Sequence, residues 1–571
     1  MRRTCLAMAL TMMVAWGSTA NVQSQEDEGR GDLIVPTKEG SVQGFYTKGI
    51  SEFLGIPYAA PPVGDLRWRP PVAHEPWGNV LKATAYGPTC AQISELGVYA
   101  GPPNSNEDCL YLNVFTPAVG RHENLPVIVY FHGGGEEGES NDFDGSKLAL
   151  QGDTVVVTLN FRLGLFGVLV HPALDNEIDS EDNDGHLFAN YNILDQQFAL
   201  HWIHDNIANF GGDPSNVTLS GQSYGAKATT YQILSPLAKG LFQKAILESA
   251  LVYLGSTPLG LAEQRGVAFA VAAGCGSGTG PDVAACLRAL PASKIQALEG
   301  NGVAYDDDGD TGRASYVVSG AISDGQILPT DEIQAYETGN FNHVPIITGS
   351  TEDEGAFFIA PREYYESPRT PFTEAQFVAA VTATYSGNAG PGGSPPAYPA
   401  GTAQRVLAQY PLSNYPSPQL QWVAQGTDAF ACRMYHIVQL LYEQVPMYVY
   451  EFRDRTAPFY FPVMPGFVSG AYHTGDSQYI FPLYHGGPLG ITHPLNANQE
   501  ELSDQIVATW TNFAWTSNPN GHGNRPWPRY TGPNGRWFTE DIRPAGLSTV
   551  TDAQFVAEHK CAFWETVLIF P

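Results

Sequence analysis

A five-residue tract, Gly221-Gln222-Ser223-Tyr224-Gly225, limits what this chain can fold into more than any other stretch. It follows the β-branched run Asn216-Val217-Thr218-Leu219-Ser220. It precedes Ala226-Lys227-Ala228-Thr229-Thr230-Tyr231-Gln232-Ile233-Leu234, which reads as a helix. A strand that turns into a helix over G-x-S-x-G is a nucleophile elbow. The turn is so tight that small residues must flank the serine, and the hydroxyl then stands clear of the backbone. That geometry predicts covalent acyl chemistry at Ser223. With 60 glycines in 571 residues such a tract also arises by chance, so the reading rests on the other groups the chemistry needs.

The surrounding pattern suits such an elbow. Pro126 to Phe131 and Thr154 to Leu159 are unbroken apolar runs, as expected of strands covered on both faces. Gln196 to Phe210 carries Phe198, Trp202, Ile203 and Ile207 on one helical face. Ser41 to Tyr46 and Ile50 to Pro57 predict an early hairpin. Ala245 to Leu247, Val344 to Ile347 and Met447 to Tyr450 predict strands, and Glu500 to Trp515 a late helix. Strands alternating with helices imply a mainly parallel sheet between helical layers. No repeat or linker divides the chain. The acidic stretches Asp175 to Asp184 and Asp306 to Asp310 read as solvated loops; calcium is the alternative, but neither has the full calcium-loop spacing.

A serine hydroxyl needs a base, a group to orient that base, and donors for the oxyanion formed on attack. His132-Gly133-Gly134-Gly135, at the end of a predicted strand and ahead of the elbow, matches an H-G-G-G oxyanion loop. The backbone amides of Gly134, Gly135 and Tyr224 are the expected donors.

Longer stretches then carry a resemblance. Glu107-Asp108-Cys109-Leu110-Tyr111-Leu112-Asn113-Val114, Phe161-Arg162-Leu163-Gly164-Leu165-Phe166-Gly167, and Leu194-Asp195-Gln196-Gln197 running on to Asn209-Phe210-Gly211-Gly212-Asp213-Pro214 are similar to segments of the type-B carboxylesterase and cholinesterase family. The resemblance spans about Gly44 to the last cysteine. It implies an α/β-hydrolase fold, with a large, mostly parallel central sheet flanked by helices on both faces, and two-step ester hydrolysis without metal or organic cofactor. Asp353-Glu354-Gly355 fits the family's D-E-G acid, which makes Glu354 the orienting carboxylate beside the alternatives Glu352 and Asp353. Ala471-Tyr472-His473-Thr474-Gly475-Asp476 fits the histidine loop best, with His485 and His493 as alternatives. The order Ser223, Glu354, His473 is the hydrolase order. The family also implies disulfides Cys90–Cys109, Cys275–Cys286 and Cys432–Cys561, structural ion pairs Arg67–Glu107 and Arg162–Asp195, and a supporting serine, Ser249, near the histidine.

The chain departs from the family at several points. Gln222 and Tyr224 stand where Glu and Ala are usual, Thr474 where Gly usually follows the histidine, and Glu136 and Glu137 where an aromatic residue often follows the glycine tract. Glu136, Glu137 and Leu328 are the expected substrate contacts; the two glutamates either make the entrance acidic, favouring neutral or cationic esters, or point to solvent. No tryptophan lies between Cys90 and Cys109 to face a quaternary ammonium. That segment is also short for a lipase flap. Small or medium esters are therefore expected ahead of choline esters or long-chain lipids, and an adhesion module is disfavoured because Ser223, Glu354 and His473 are all present.

Bulk properties bear on compartment and partners. Arg2 and Arg3, the apolar run Cys5 to Trp16 and Ser18-Thr19-Ala20 read as a signal peptide over residues 1–20, leaving residues 21–571 as one catalytic domain. Cys5 leaves with it, and the six remaining cysteines suit an oxidising, extracellular or periplasmic setting. Spacing alone leaves their pairing open. The formal charge of −29 repels nucleic acid and anionic membranes, so a small-molecule ester is the expected partner. The sequon at Asn216 lies in the strand that feeds the elbow. The terminal Val567 to Phe570 is too short for a membrane span and reads as a packed tail.

Overall fold

The computed structural model describes residues 33–93, 96, 103–119, 124–135, 137–175, 189–250, 256–300, 320–365, 368–385, 398–482, 490–521 and 524–568. The predicted signal peptide, Glu136, His485 and the acidic loops beyond Asp175 lie outside the described residues. Eleven strands form one sheet. In chain order they are β1 (Phe45–Thr47), β2 (Ile50–Pro57), β3 (Tyr111–Thr116), β4 (Leu125–Phe131), β5 (Val155–Leu159), β6 (Gly212–Gln222), β7 (Lys244–Glu248), β8 (Ile346–Thr351), β9 (Met447–Phe452), β10 (Arg536–Glu540) and β11 (Ser548–Thr551). Their order across the sheet is β1-β2-β3-β5-β4-β6-β7-β8-β9-β10-β11. From β5 to β10 every neighbour is parallel, and both margins are antiparallel.

The apolar runs are continuous because each strand feeds two cores. On β4, Val127, Val129 and Phe131 enter one core while Ile128 and Tyr130 enter the other. On β7, Ala245 and Leu247 oppose Ile246 in the same way. Successive side chains point to opposite faces, so a strand covered on both sides favours apolar residues at successive positions. Helices α1 (Tyr191–Asn206), α2 (Tyr224–Leu234) and α4 (Pro418–Leu441) contribute to the first core. Helices α3 (Gly355–Tyr365) and α5 (Ala497–Thr516) contribute to the second.

Most expected elements are present, with displaced boundaries. The early hairpin is corrected: Phe45–Thr47 pairs with Ile50–Pro57, but Ser41–Gln43 belongs to a separate small sheet with Ile34–Pro36 and Leu81–Lys82. All three implied disulfides are formed. So are both ion pairs. Arg67 Nε donates to Glu107 at 2.6 Å, and Arg162 reaches both oxygens of fully buried Asp195 at 2.8 and 2.6 Å. Asn216 accepts from buried Lys244 Nζ. Val567 and Leu568 are buried.

A second buried ionic cluster ties the chain's end to the sheet. His559, which follows α6 (Asp552–Glu558), lies between Glu451 of β9, 2.6 Å from Nε2, and Asp428 of α4, 3.2 Å from Nδ1. Lys560 joins Asp428 at 2.5 Å, and Cys432–Cys561 crosslinks the same two segments. Burial works against the imidazolium, but Glu451 and Asp428 outweigh it, and the His559 pKa is pushed up to about 10. The folded value thus lies above the unfolded one of about 6.5, so this stabilisation is complete below about pH 6.5 and is lost as pH rises toward 10. His559→Gln is expected to lower unfolding stability by about 1.5–3 kcal/mol near pH 6, because it removes the cation bonded to both buried carboxylates while Lys560 stays on Asp428 and Arg453 on Glu451. Urea unfolding should show the gap between variant and parent narrowing steadily toward pH 10; an equal gap throughout would contradict the assignment.

Candidate active site

β6 ends at Gln222, α2 begins at Tyr224, and Ser223 alone makes the turn, at φ 59° and ψ −120°. Such a backbone is costly for a side-chain-bearing residue. Its neighbours hold it: the Ser223 amide donates to Glu248 O at 2.8 Å, and its carbonyl accepts from Lys227 at 3.1 Å. The flanking glycines are sterically required. A Cβ on Gly225 would lie 1.9 Å from Phe131 O, and one on Gly221 would lie 2.3 Å from the carbonyl carbon of Gly225. Ser223 keeps 8% of its surface exposed.

Strand register brings the next groups to the same edge. Gly221 of β6 pairs with Phe131 of β4 and Leu247 of β7, and Glu248 pairs with Gly349 of β8. β8 ends at Thr351, and Glu354 follows it, fully buried. Glu354 Oε2 accepts a short hydrogen bond from His473 Nδ1. Its other oxygen, Oε1, accepts from Ser249 Oγ at 2.6 Å and from the Thr351 amide at 2.8 Å. The bond to a carboxylate makes Nδ1 the donor, so in the neutral ring the lone pair is on Nε2. Nε2 has no hydrogen-bond partner among the described residues. The rings of Phe358, Phe357 and Phe430 lie 5.0, 5.5 and 5.9 Å from the imidazole.

Of the alternatives for the acid, Asp353 has a different task. It accepts the Ala471 amide at 2.9 Å and Arg455 at 2.6 Å, anchoring the loop that carries His473. His493 is exposed. The carboxylate–imidazole pair thus unites Glu354 and His473, with Ser249 touching the carboxylate rather than the ring.

In the glycine tract, Gly134 and Gly135 have φ of 100° and 77°. A Cβ on Gly135 would meet the Tyr224 ring at 3.4 Å, which places the tract against the residue after the serine. Tyr224 is buried and its hydroxyl accepts from Asn192 at 3.1 Å. His132 stacks on Phe161 at 4.5 Å; burial holds its pKa down to about 4, against the opposing bond from Nδ1 to Gly133 O. Glu137 is 1% exposed and accepts the Leu96 amide at 2.8 Å, so it does not point to solvent. Gln222 and Leu328 are each 1% exposed, and the Leu328 amide donates to Asp324.

Sequence reasoning missed a set of buried acids behind these residues. Glu248, next to Ser249, accepts from Ser220 Oγ at 3.2 Å and Trp510 Nε1 at 3.3 Å. Asp476 follows the histidine by three positions, and Glu540 ends β10. Burial, then the charge of Glu354, pushes Asp476 up to about 7, with His473 opposing. Burial, reinforced by the other acids of the set, pushes Glu248 and Glu540 upward too. Residues 248 and 476 lie next to motifs already singled out, but nothing local marks Glu540. Among the described residues no group of three or more His, Cys, Asp or Glu side chains is arranged to hold a metal ion.

A serine on a strained strand-to-helix turn, with a Glu–His pair further along the carboxyl edge of a mostly parallel sheet, defines an α/β-hydrolase. Comparison with known proteins narrows the class. The carboxylesterase family profile matches residues 31–564. Carboxylesterase 1F of Mus musculus is 30% identical over 548 residues, covering 92% of this chain and 91% of that protein. Para-nitrobenzyl esterase of Bacillus subtilis (strain 168) is 32% identical over 509 residues, covering 87% and 92%. A solved PNB esterase structure superposes with a TM-score of 0.69 at 29% identity, covering 93% of this chain and all of that one (100%). The chain belongs to the carboxylesterase family and is a carboxylic ester hydrolase.

The contact at Gly225 yields a sharp expectation. Gly225→Ala must push the elbow away from β4, so esterase activity should fall by about 10²-fold or more, in line with a displacement of about 1 Å at the reacting atoms. Hydrolysis of a chromogenic ester, normalised to folded protein by circular dichroism, checks this; near-parental activity would show that the turn tolerates the methyl group.

Proposed function

We propose that this protein is a secreted serine carboxylesterase that hydrolyses small to medium carboxylic esters through an acyl-enzyme on Ser223. The observation that carries the proposal is the buried Glu354–His473 bond, which turns Nδ1 to the carboxylate and Nε2 away from it, at the edge where β6 delivers Ser223. His473 Nε2 takes the Ser223 proton as Oγ attacks the ester carbonyl. Glu354 holds the tautomer and stabilises the imidazolium, and the amides of Gly134, Gly135 and Tyr224 receive the oxyanion. The imidazolium returns its proton to the departing alcohol. Water, deprotonated by the same nitrogen, then releases the acid and restores Ser223. Ser249 and the Thr351 amide keep Glu354 in place.

The predicted signal peptide and the three disulfides support export. No helix among the described residues is long and apolar enough to cross a membrane. Residues 21–571 act as one catalytic domain in this reading. Glu137 holds the segment between Cys90 and Cys109 through Leu96, which leaves Glu136 and Leu328 as the proposed direct contributors to substrate preference. The names of the relatives point to carboxylic esters, including para-nitrobenzyl esters in one of them.

A fluorophosphonate probe and a panel of esters, varied separately in acyl and alcohol size, test the proposal. The parent protein should be labelled stoichiometrically, and Ser223→Ala should lose labelling together with at least about 10³-fold of its esterase activity. Folded parent protein that neither reacts with the probe nor cleaves any ester would favour a binding module.

A further inference from the structure

Thr474, directly after the imidazole-bearing residue, has φ 72°. That is left-handed backbone, where a β-branched side chain is a genuine outlier and glycine alone carries no penalty. Strain of this kind persists only where the surroundings hold it. Thr474 is 1% exposed, and its hydroxyl shares a hydrogen bond of 2.7 Å with the buried Tyr460 hydroxyl. On the other side of His473, Tyr472 donates its hydroxyl to Pro458 O at 2.6 Å, and its ring meets Phe459 and Tyr460 edge-on at 4.9 and 5.7 Å. Both neighbours of the histidine are therefore fastened to one short segment, Pro458 to Tyr460. The turn between them is closed by Gly475 donating to Tyr472 O at 2.7 Å and Ser477 to Thr474 O at 3.1 Å.

We propose that Thr474 and Tyr460 form a positioning pair whose hydroxyl–hydroxyl bond sets the direction of His473 Nε2 for proton transfer with Ser223; the proposal rests on the serine mechanism above. Glu354 bonds one end of the imidazole and three phenyl rings pack around it, but where Nε2 points also depends on the backbone that carries the ring. Fastening the residues on both sides of His473 sets that backbone. The hydroxyl of residue 474, not its methyl group, is what the pair requires. A backbone that glycine adopts without cost then carries threonine because the hydroxyl is needed there.

The test compares Thr474→Ser, Thr474→Ala, Thr474→Gly, Tyr460→Phe and the Thr474→Ala/Tyr460→Phe double variant, with kcat referred to fluorophosphonate-titrated sites and Ser223→Ala run alongside. Thr474→Ser keeps the hydroxyl and should hold kcat within about twofold, while Thr474→Ala and Tyr460→Phe should each lose about 10- to 10²-fold in kcat with little change in KM. The double variant should be no worse than either single one, as expected of partners in one interaction. Thr474→Gly should lose kcat while its melting temperature holds or rises, a split that a purely structural role does not give. The proposal fails if Tyr460→Phe and Thr474→Ala keep parental kcat, or if only KM moves. It fails equally if Thr474→Ser is as slow as Thr474→Ala. Retained turnover in Ser223→Ala would instead remove the serine mechanism, and the pair's role with it.

Discussion

The register of four adjacent parallel strands decides where everything in this molecule happens. β4, β6, β7 and β8 end at one edge, with Phe131 beside Gly221, Gly221 beside Leu247, and Glu248 beside Gly349. From that edge emerge the glycine tract, the serine turn, Ser249 and, just beyond Thr351, Glu354. Backbone hydrogen bonds deep in the sheet thus carry the placement, and the loops only complete it. A slip of one residue in any of these pairs would turn its side chains to the opposite face. The two cores resist such a slip, because the central strands are buried on both faces and a shift would exchange the residues that each core receives.

The sheet also sets the electrostatics. His473 and Glu354 are fully buried, where charges interact more strongly than in water. A second ionised carboxylate beside the imidazole would compete with Glu354 for its proton. Asp476 is in that neighbourhood, and burial together with Glu354 raises it to about 7. Glu248 and Glu540 are pushed upward as well. The acids behind the pair therefore resist ionising, and Glu354 is the carboxylate bonded to the ring. Near the carboxyl end of β9, where Glu451 pairs with Ser350 of β8, the balance is reversed: His559 is held as a cation between Glu451 and Asp428, and Arg453 adds a second positive charge to Glu451. The two clusters differ in the number of cations close enough to pair with the buried acids.

Much of this was legible in the chain because the signals were local. Continuous apolar runs announced β4, β5 and β7, and the elbow was explicit in Gly221 to Gly225. Glu354 and His473, which are hydrogen-bonded to each other, were singled out through short motifs that the resemblance made meaningful, and each implied cysteine pair is bonded. The misses have a common physical origin. β10 and β11 are held by pairing with β9 and with each other, and Trp537 and Phe538 enter opposite cores, which gives no marked period over so short a run. Ser41–Gln43 alternates like a hairpin strand, yet it pairs with Ile34–Pro36 across a turn in which Thr37 and Gly40 exchange backbone hydrogen bonds of 2.9 and 3.3 Å. Glu137 reads as either an acidic entrance or a solvent-facing charge, yet it is 1% exposed and bonded to the distant Leu96 amide. Partners far away in sequence made each of these residues what it is.

Two of the departures from the family pattern, Tyr224 and Thr474, are explained by the same kind of contact. Tyr224 stands where a small residue is usual, yet its ring does not need to cover the serine: it is buried, its hydroxyl takes a hydrogen bond from Asn192, and it lies against the Cα of Gly135. There it can brace the glycine tract whose amide, with its own, is proposed to receive the oxyanion. Thr474 accepts a backbone strain of roughly 1–3 kcal/mol, comparable with the net worth of about 1 kcal/mol for a typical hydrogen bond. Stability alone therefore gives little reason for threonine at this position. A side chain that gains the fold so little is better explained by what its hydroxyl does for the residue before it, and that residue is the histidine on which the proposed proton transfer turns.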